Sequence, residues 1–190
     1  MSSAAEAYAN LPHKIRATAL VGQFLQYWSV LESTINQAIE QGLKINYLQG
    51  AVLASNITFR NKIHILKVLV DLRGIDAERL KGYVDEVATL SYARNMVAHD
   101  VFWADEEGDG VKFAVAKAKN KLSFPDTRWS IQNFLEKFEQ INDLVLKMQQ
   151  VTTTVSKLSL ADALLHYRPH EPTQEAVAQV HQESQDLPPK

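Results

Sequence analysis

The sequence predicts an all-α domain, a bundle of four main helices with a small β-hairpin inserted between the third and the fourth. Three observations carry that prediction. Apolar residues recur at three- and four-residue steps through four long stretches, the spacing of one helical face. The period changes only where Val101-Phe102-Trp103 and Val111-Lys112-Phe113-Ala114-Val115 flank the turn-forming DEEGDG, which reads as a hairpin over about 101–115. With 46% hydrophobic residues but only 7 Gly and 6 Pro, the composition is that of a packed globule with few turns.

The first helix follows Leu11-Pro12 and runs from Lys14 to about Gln41, with Leu20, Phe24, Trp28, Leu31, Ile35 and Ile39 on one stripe. Gly42 stands where a left-handed C-terminal cap would sit, and KINYLQG to Gly50 reads as a connection. The second helix is expected from Ala51 or Ser55 to Leu72, stopped by Arg73-Gly74. Asp76 is placed to cap a third helix, Ala77 to about His99, by accepting from orphan backbone N–H groups. Pro125-Asp126 opens the fourth, which carries Trp129, Phe134, Phe138, Ile141 and Leu144 toward Lys157. Residues 1–157 thus form one domain. The remainder, 158–190, is a short amphipathic turn through Leu165 and a polar, proline-bounded tail expected to be mobile.

The chain of 190 residues needs no disulfide or metal staple, since a domain of this size buries enough surface by itself. Cysteine is absent, which excludes thiol nucleophiles and Cys-based zinc sites and suits a reducing cytoplasm. No signal-like N-terminus and no bilayer-length apolar run is present, so neither export nor membrane insertion is expected. A net charge of −2 rules out nucleic-acid binding by bulk positive charge. Any contact with RNA has to be local.

One string combines residues suited to such a contact: Arg94-Asn95-Met96-Val97-Ala98-His99. Seven Arg and six His in 190 residues give roughly 0.2 Arg-x4-His pairs by chance, so the spacing alone is weak. Arg60-Asn61-Lys62-Ile63-His64 repeats the composition with one residue fewer, and Arg60 and His64 read as a surface pair and a partly buried histidine. At about 100° per residue, Asn95 and His99 share a helical face while Arg94 is turned aside. Asn95 is therefore expected to orient His99. Arg94 must reach round the helix, meet a loosened helix end, or act beside a second copy of the motif. Imidazole and guanidinium together suit attack of a ribose 2′-hydroxyl on its own phosphate, one moving protons and the other neutralising the phosphorane. A structural reading stands beside this one: a basic last turn that satisfies helix-end carbonyls.

A helical bundle with R-N-x-x-x-H at a helix end resembles the HEPN superfamily, and YWSVLESTINQAI and FRNKIHILKVL are similar in style to its first two helices. The likeness spans roughly residues 14–157 and is sharp only at 94–99. It implies an HEPN-like bundle and a metal-independent endoribonuclease, a toxin or phage-defence component without cofactor. It also implies a homodimer that builds the active cleft, with Arg94 and His99 catalytic and Asn95 supporting. Val101 stands where members paired with a nucleotidyltransferase antitoxin tend to carry tyrosine, so that mode of control is not implied. The superfamily also contains non-cleaving members, which gives the alternative: a dimeric binding or scaffold module for nucleotide, RNA or a partner protein.

Accessory candidates are Glu32, which could orient a histidine or arginine; Arg60 and Lys62, which could touch phosphate; and Trp103, which could stack a base. Trp28 fits the core stripe. Asp105, Glu107, Asp109 and Gly110 imitate half a calcium loop, but Ala116 stands where the bidentate Glu belongs, so a solvated turn is expected. His166 and His170 have metal-ligand spacing, yet Pro169 separates them and no third ligand is in view. No metal site is expected.

Overall fold

The computed structural model describes residues 3–114, 117–118, 122–123 and 126–159. Among these are six helices: α1 (Ala4–Ala9), α2 (His13–Leu43), α3 (Tyr47–Asn56), α4 (Phe59–Arg73), α5 (Ala77–His99) and α6 (Ile131–Val155). The strands are β1 (Val101–Ala104), β2 (Val111–Ala114), β3 (Lys117–Ala118), β4 (Leu122–Ser123) and β5 (Asp126–Trp129). The mainly helical prediction holds, and no helix is long and apolar enough to cross a membrane among the described residues. The helices and sheet fall within one compact unit, Met1–Leu158, separate from Ser159–Lys190. The expected turn beyond Ser159, the tail and His166 and His170 lie outside the described residues.

The long helices follow the apolar stripes. Leu20, Phe24, Leu31 and Ile35 of α2 and Phe134, Ile141, Leu144 and Met148 of α6 are fully buried against one another and against Leu66, Val70, Leu80 and Val84 of α4 and α5. Burying such a side chain contributes about 1.5–3 kcal/mol. The α6 start is fixed locally: Ser130 and Asn133 form a reciprocal capping box.

Several boundaries differ from expectation for physical reasons. Gly42 is helical and buried; a Cβ there would lie 2.7 Å from Leu69 Cδ1, so this glycine serves close helix packing. Lys44 takes the left-handed conformation that ends α2. The supposed connection 44–50 contains the start of α3, because Asn46 and Gln49 cap each other's backbone. Thr58 caps α4, splitting the expected second helix at Ile57. Asp76 stands at the expected N-cap and its carbonyl accepts from the Leu80 N–H at 3.0 Å, but its side chain makes no capping bond: the residue is left-handed, with φ 54°, and the carboxylate pairs with Arg79 at 2.8 Å.

The hairpin is the first half of a three-stranded antiparallel sheet, ordered β1-β2-β5, with Val101 opposite Ala114 and Val111 opposite Trp129. Trp129, expected in the last helix, is the final residue of β5. Its ring packs edge-on against Phe24 of α2, Phe113 of β2 and Phe134 of α6, with centroids 5.2–5.8 Å away. Arg16 ties α2 to the β1–β2 turn by donating from Nη1 to Asp109 O at 3.2 Å, while its Nη2 donates to the Ala9 and Leu11 carbonyls at 2.9 Å.

Gly110 makes this junction possible, since a Cβ at that position would fall 1.8 Å from the Trp129 carbonyl oxygen. Backbone cannot give way as a side-chain tip can. Gly110→Ala is therefore expected to cost about 1–3 kcal/mol in urea unfolding, and unchanged stability would contradict this account of the junction.

Candidate functional site

The RNMVAH segment closes α5, and the helix stays intact to its end: the Asp100 N–H donates to Met96 O at 3.0 Å. Leu90, Ala93, Met96 and Val97 are buried, which turns Asn95 and His99 outward and leaves Arg94 half-buried between the two faces. Of the three ways for Arg94 to meet His99, the side chain takes the first. It reaches round the helix, and its Nη1 lies 3.2 Å from His99 Nε2 and 3.2 Å from Asn95 Oδ1. A guanidinium only donates, so in this contact Nε2 of His99 stands as the acceptor. Asn95 thus holds Arg94, where the shared face had suggested that it would hold His99.

The accessory candidates separate. Lys62 is 4% exposed and pairs with Glu32 at 2.8 Å, so neither turns to a phosphate, a histidine or an arginine in this arrangement. A cation buried between α2 and α4 needs its carboxylate. Arg60 and His64 both stand exposed on α4, and the partial burial expected of His64 is not found. Trp28 is a core residue, packed on Phe59 with centroids 5.2 Å apart. Trp103 is 48% exposed and sits on β1, four residues beyond His99.

The turn beside the motif is more than a solvated loop. Asp105 is 6% exposed and binds Lys112 at 3.2 Å, Arg128 at 3.7 Å and the Glu107 N–H at 3.3 Å. Burial alone pushes its carboxyl up, but these donors outweigh it and hold it below the ordinary carboxylate range. Arg128 at 3.0 Å and Lys112 at 3.5 Å lower Glu107 in the same way. Among the described residues no cluster of three or more potential metal ligands occurs.

Sequence reasoning missed a groove of about 880 Å³ between the first turns of α2 and β1, lined by His13, Lys14, Ala17, Phe102, Trp103 and Ala104, among others. Its walls lie some ninety residues apart in the chain. His13 Nδ1 of α2 lies 3.3 Å from the Asp105 carbonyl oxygen beyond β1, a contact that leaves no local mark in the sequence.

Two outcomes follow. Glu32→Ala strands the Lys62 ammonium in the interior and is expected to cost about 2–3 kcal/mol, less than a fully buried pair because Glu32 keeps some contact with water. Glu32→Gln with Lys62→Met, which removes both charges, should restore most of it in urea unfolding. The lowered Asp105 carboxyl contributes stability above its unfolded-state pKa and loses it as pH falls through the folded value. The sheet should therefore hold through the ordinary carboxylate range and loosen only below it, read by tryptophan emission during acid titration. In Asp105→Asn that acid step should shrink, leaving the part carried by Glu107; an unaltered transition would remove Asp105 from the account.

Comparison of the chain with protein-family models, with curated proteins and with solved structures finds no match, so the functional reading rests on the geometry of the Arg94–His99 pair.

Proposed function

We propose that the chain is a metal-independent endoribonuclease of HEPN type whose centre is built from Arg94, His99 and the supporting Asn95. The observation that carries the reading is the 3.2 Å approach of Arg94 Nη1 to His99 Nε2 on an exposed helix end. This gathers a phosphate-binding cation and a proton carrier from opposite sides of α5. In the reaction the ribose 2′-oxygen bonds to phosphorus and the bond from phosphorus to the 5′-oxygen breaks. The products are a 2′,3′-cyclic phosphate and a 5′-hydroxyl. His99 takes the 2′-hydroxyl proton or supplies one to the leaving oxygen, and Arg94 neutralises the charge gathering on phosphorus.

One imidazole serves one of these two proton transfers. The second comes from His99 of another copy, since a twofold dimer presents the same residues twice. The alternative is a dimeric module that binds nucleotide, RNA or a partner protein without turnover. It is favoured by the net charge of −2 and by the pairing of Lys112 and Arg128 with acidic neighbours.

Purified protein should cleave RNA in EDTA and leave 2′,3′-cyclic phosphate ends. His99→Ala and Arg94→Ala should each lose at least about 100-fold in rate while keeping the helical circular dichroism of the parent. Retention of activity in His99→Ala, or diverse RNAs left intact by the parent, defeats the catalytic reading; binding without cleavage supports the alternative.

A further inference from the structure

We propose that β1 is the contact through which two copies of this chain associate, pairing antiparallel with its own counterpart across a twofold axis. β1 is an edge strand, with β2 on one side only. The Asp105 N–H donates to Gly110 O at 3.0 Å, continuing the register in which Val101 faces Ala114 and Trp103 faces Lys112. Hydrogen-bonded pairs alternate along such a ladder, so Val101 and Trp103 spend their main-chain groups on β2, in step with the Asp105 N–H on Gly110. The N–H and C=O groups of Phe102 and Ala104 point to the free edge, and no described residue bonds them. That edge opens on the 880 Å³ groove beside α2.

A free strand edge is a template for another strand, and under a twofold it is complementary to itself. The side chains select the register. Val101 and Trp103 lie on the same outer face of β1 and are 70% and 48% exposed. A twofold at Phe102 sets Val101 of each copy directly opposite Trp103 of the other, a β-branched residue against an aromatic one, twice over. The bonds in this register run from the Phe102 N–H to Phe102 O of the other copy, and from the Ala104 N–H to Asp100 O. Asp100 is already extended, at φ −85° and ψ 148°, so it can serve as a strand residue. Lys14 and Glu106 border the same groove, one of each sign, and neither has an ion-pair partner among the described residues. A twofold can match each with its counterpart. Balanced charge of this kind suits a second copy of the chain better than a polyanion.

The pairing stands independently of the catalytic reading and deepens it in one respect. At about 3.4 Å per residue, four residues along and one strand across, the two Asp100 Cα atoms lie about 14 Å apart. Two histidine side chains and a phosphodiester between them span that distance.

The absence of cysteine makes the register directly testable. Facing Cα atoms at a non-hydrogen-bonded pair are about 4.5 Å apart, within disulfide reach, whereas like residues in this register are about 8 Å apart, beyond it. Val101→Cys and Trp103→Cys proteins, mixed under mild oxidation, should give the mixed disulfide dimer, and each alone should stay uncrosslinked. The parent should sediment as a dimer. Ala104→Pro, which removes a free-edge donor, and Trp103→Lys should each raise the dissociation constant about tenfold or more. Either variant suffices if the other fails to fold. A monomeric parent overturns the proposal and leaves the edge to an extended peptide of another protein. A dimer unmoved by both variants, or crosslinks between like residues only, overturns it as well. Loss of cleavage in His99→Ala with the dimer intact bears on the catalysis alone.

Discussion

The packing of Trp129 is the contact on which the rest of the arrangement depends. Its ring joins Phe24 of the longest helix, Phe113 of the central strand and Phe134 of the last helix, while its backbone passes so close to Gly110 that no other residue fits there. Edge-on aromatic contacts of this kind add about 0.5–1.5 kcal/mol each beyond the area they bury. Beside Trp129, the buried Val111 and Phe113 and the bonds from Arg16 and the Ile131 N–H to Asp109 hold the sheet to the helices. Fixing β5 and β2 in turn fixes β1, and β1 begins two residues after His99. β1 thus joins the sheet to the end of α5, whose own buried residues, Leu90, Ala93, Met96 and Val97, orient the candidate site.

Where the sequence was legible, one signal dominated. The stripes of α2 and α6 are long enough for helical period to outweigh local accidents, and Leu20, Phe24, Trp28, Leu31, Ile35 and Ile39 of α2 and Phe134, Phe138, Ile141 and Leu144 of α6 are buried as their spacing predicts. Illegible places were those where two local rules competed. Gly42 looked like a cap because glycine favours left-handed backbone, but the approach of Leu69 required the missing side chain there, and Lys44 took the left-handed turn instead. Trp129 lies in helical register with Phe134 and Phe138 only approximately. The sharper sign was Ser130 with Asn133, a capping box that starts the helix after the tryptophan. β5 has no alternating apolar signature of its own, and only pairing with β2 makes it a strand.

The site was legible to a similar depth. Helix geometry placed Asn95 and His99 together on the exposed side and Arg94 apart, which is correct for the backbone; the length of the arginine side chain then reversed the pairing. Glu32 and Lys62 were separately visible as polar residues among apolar ones. That they neutralise each other required the packing of α2 on α4, thirty residues apart. The groove beside β1 and the free edge of that strand belong to tertiary structure altogether.

On the proposed reading, the contact that gathers the pair also occupies it, since Arg94 Nη1 stands 3.2 Å from His99 Nε2. A phosphodiester is a stronger acceptor for a guanidinium than an imidazole is, because it is charged and offers paired oxygens. In the proposed reaction, binding therefore draws Arg94 off His99, and the step that clamps the phosphate is the step that frees the base. Asn95 Oδ1 accepts from the same Arg94 Nη1 at 3.2 Å. On that reading the coupling needs no movement of the helix, and residues an awkward five apart on a regular helix act together through the reach of the arginine side chain.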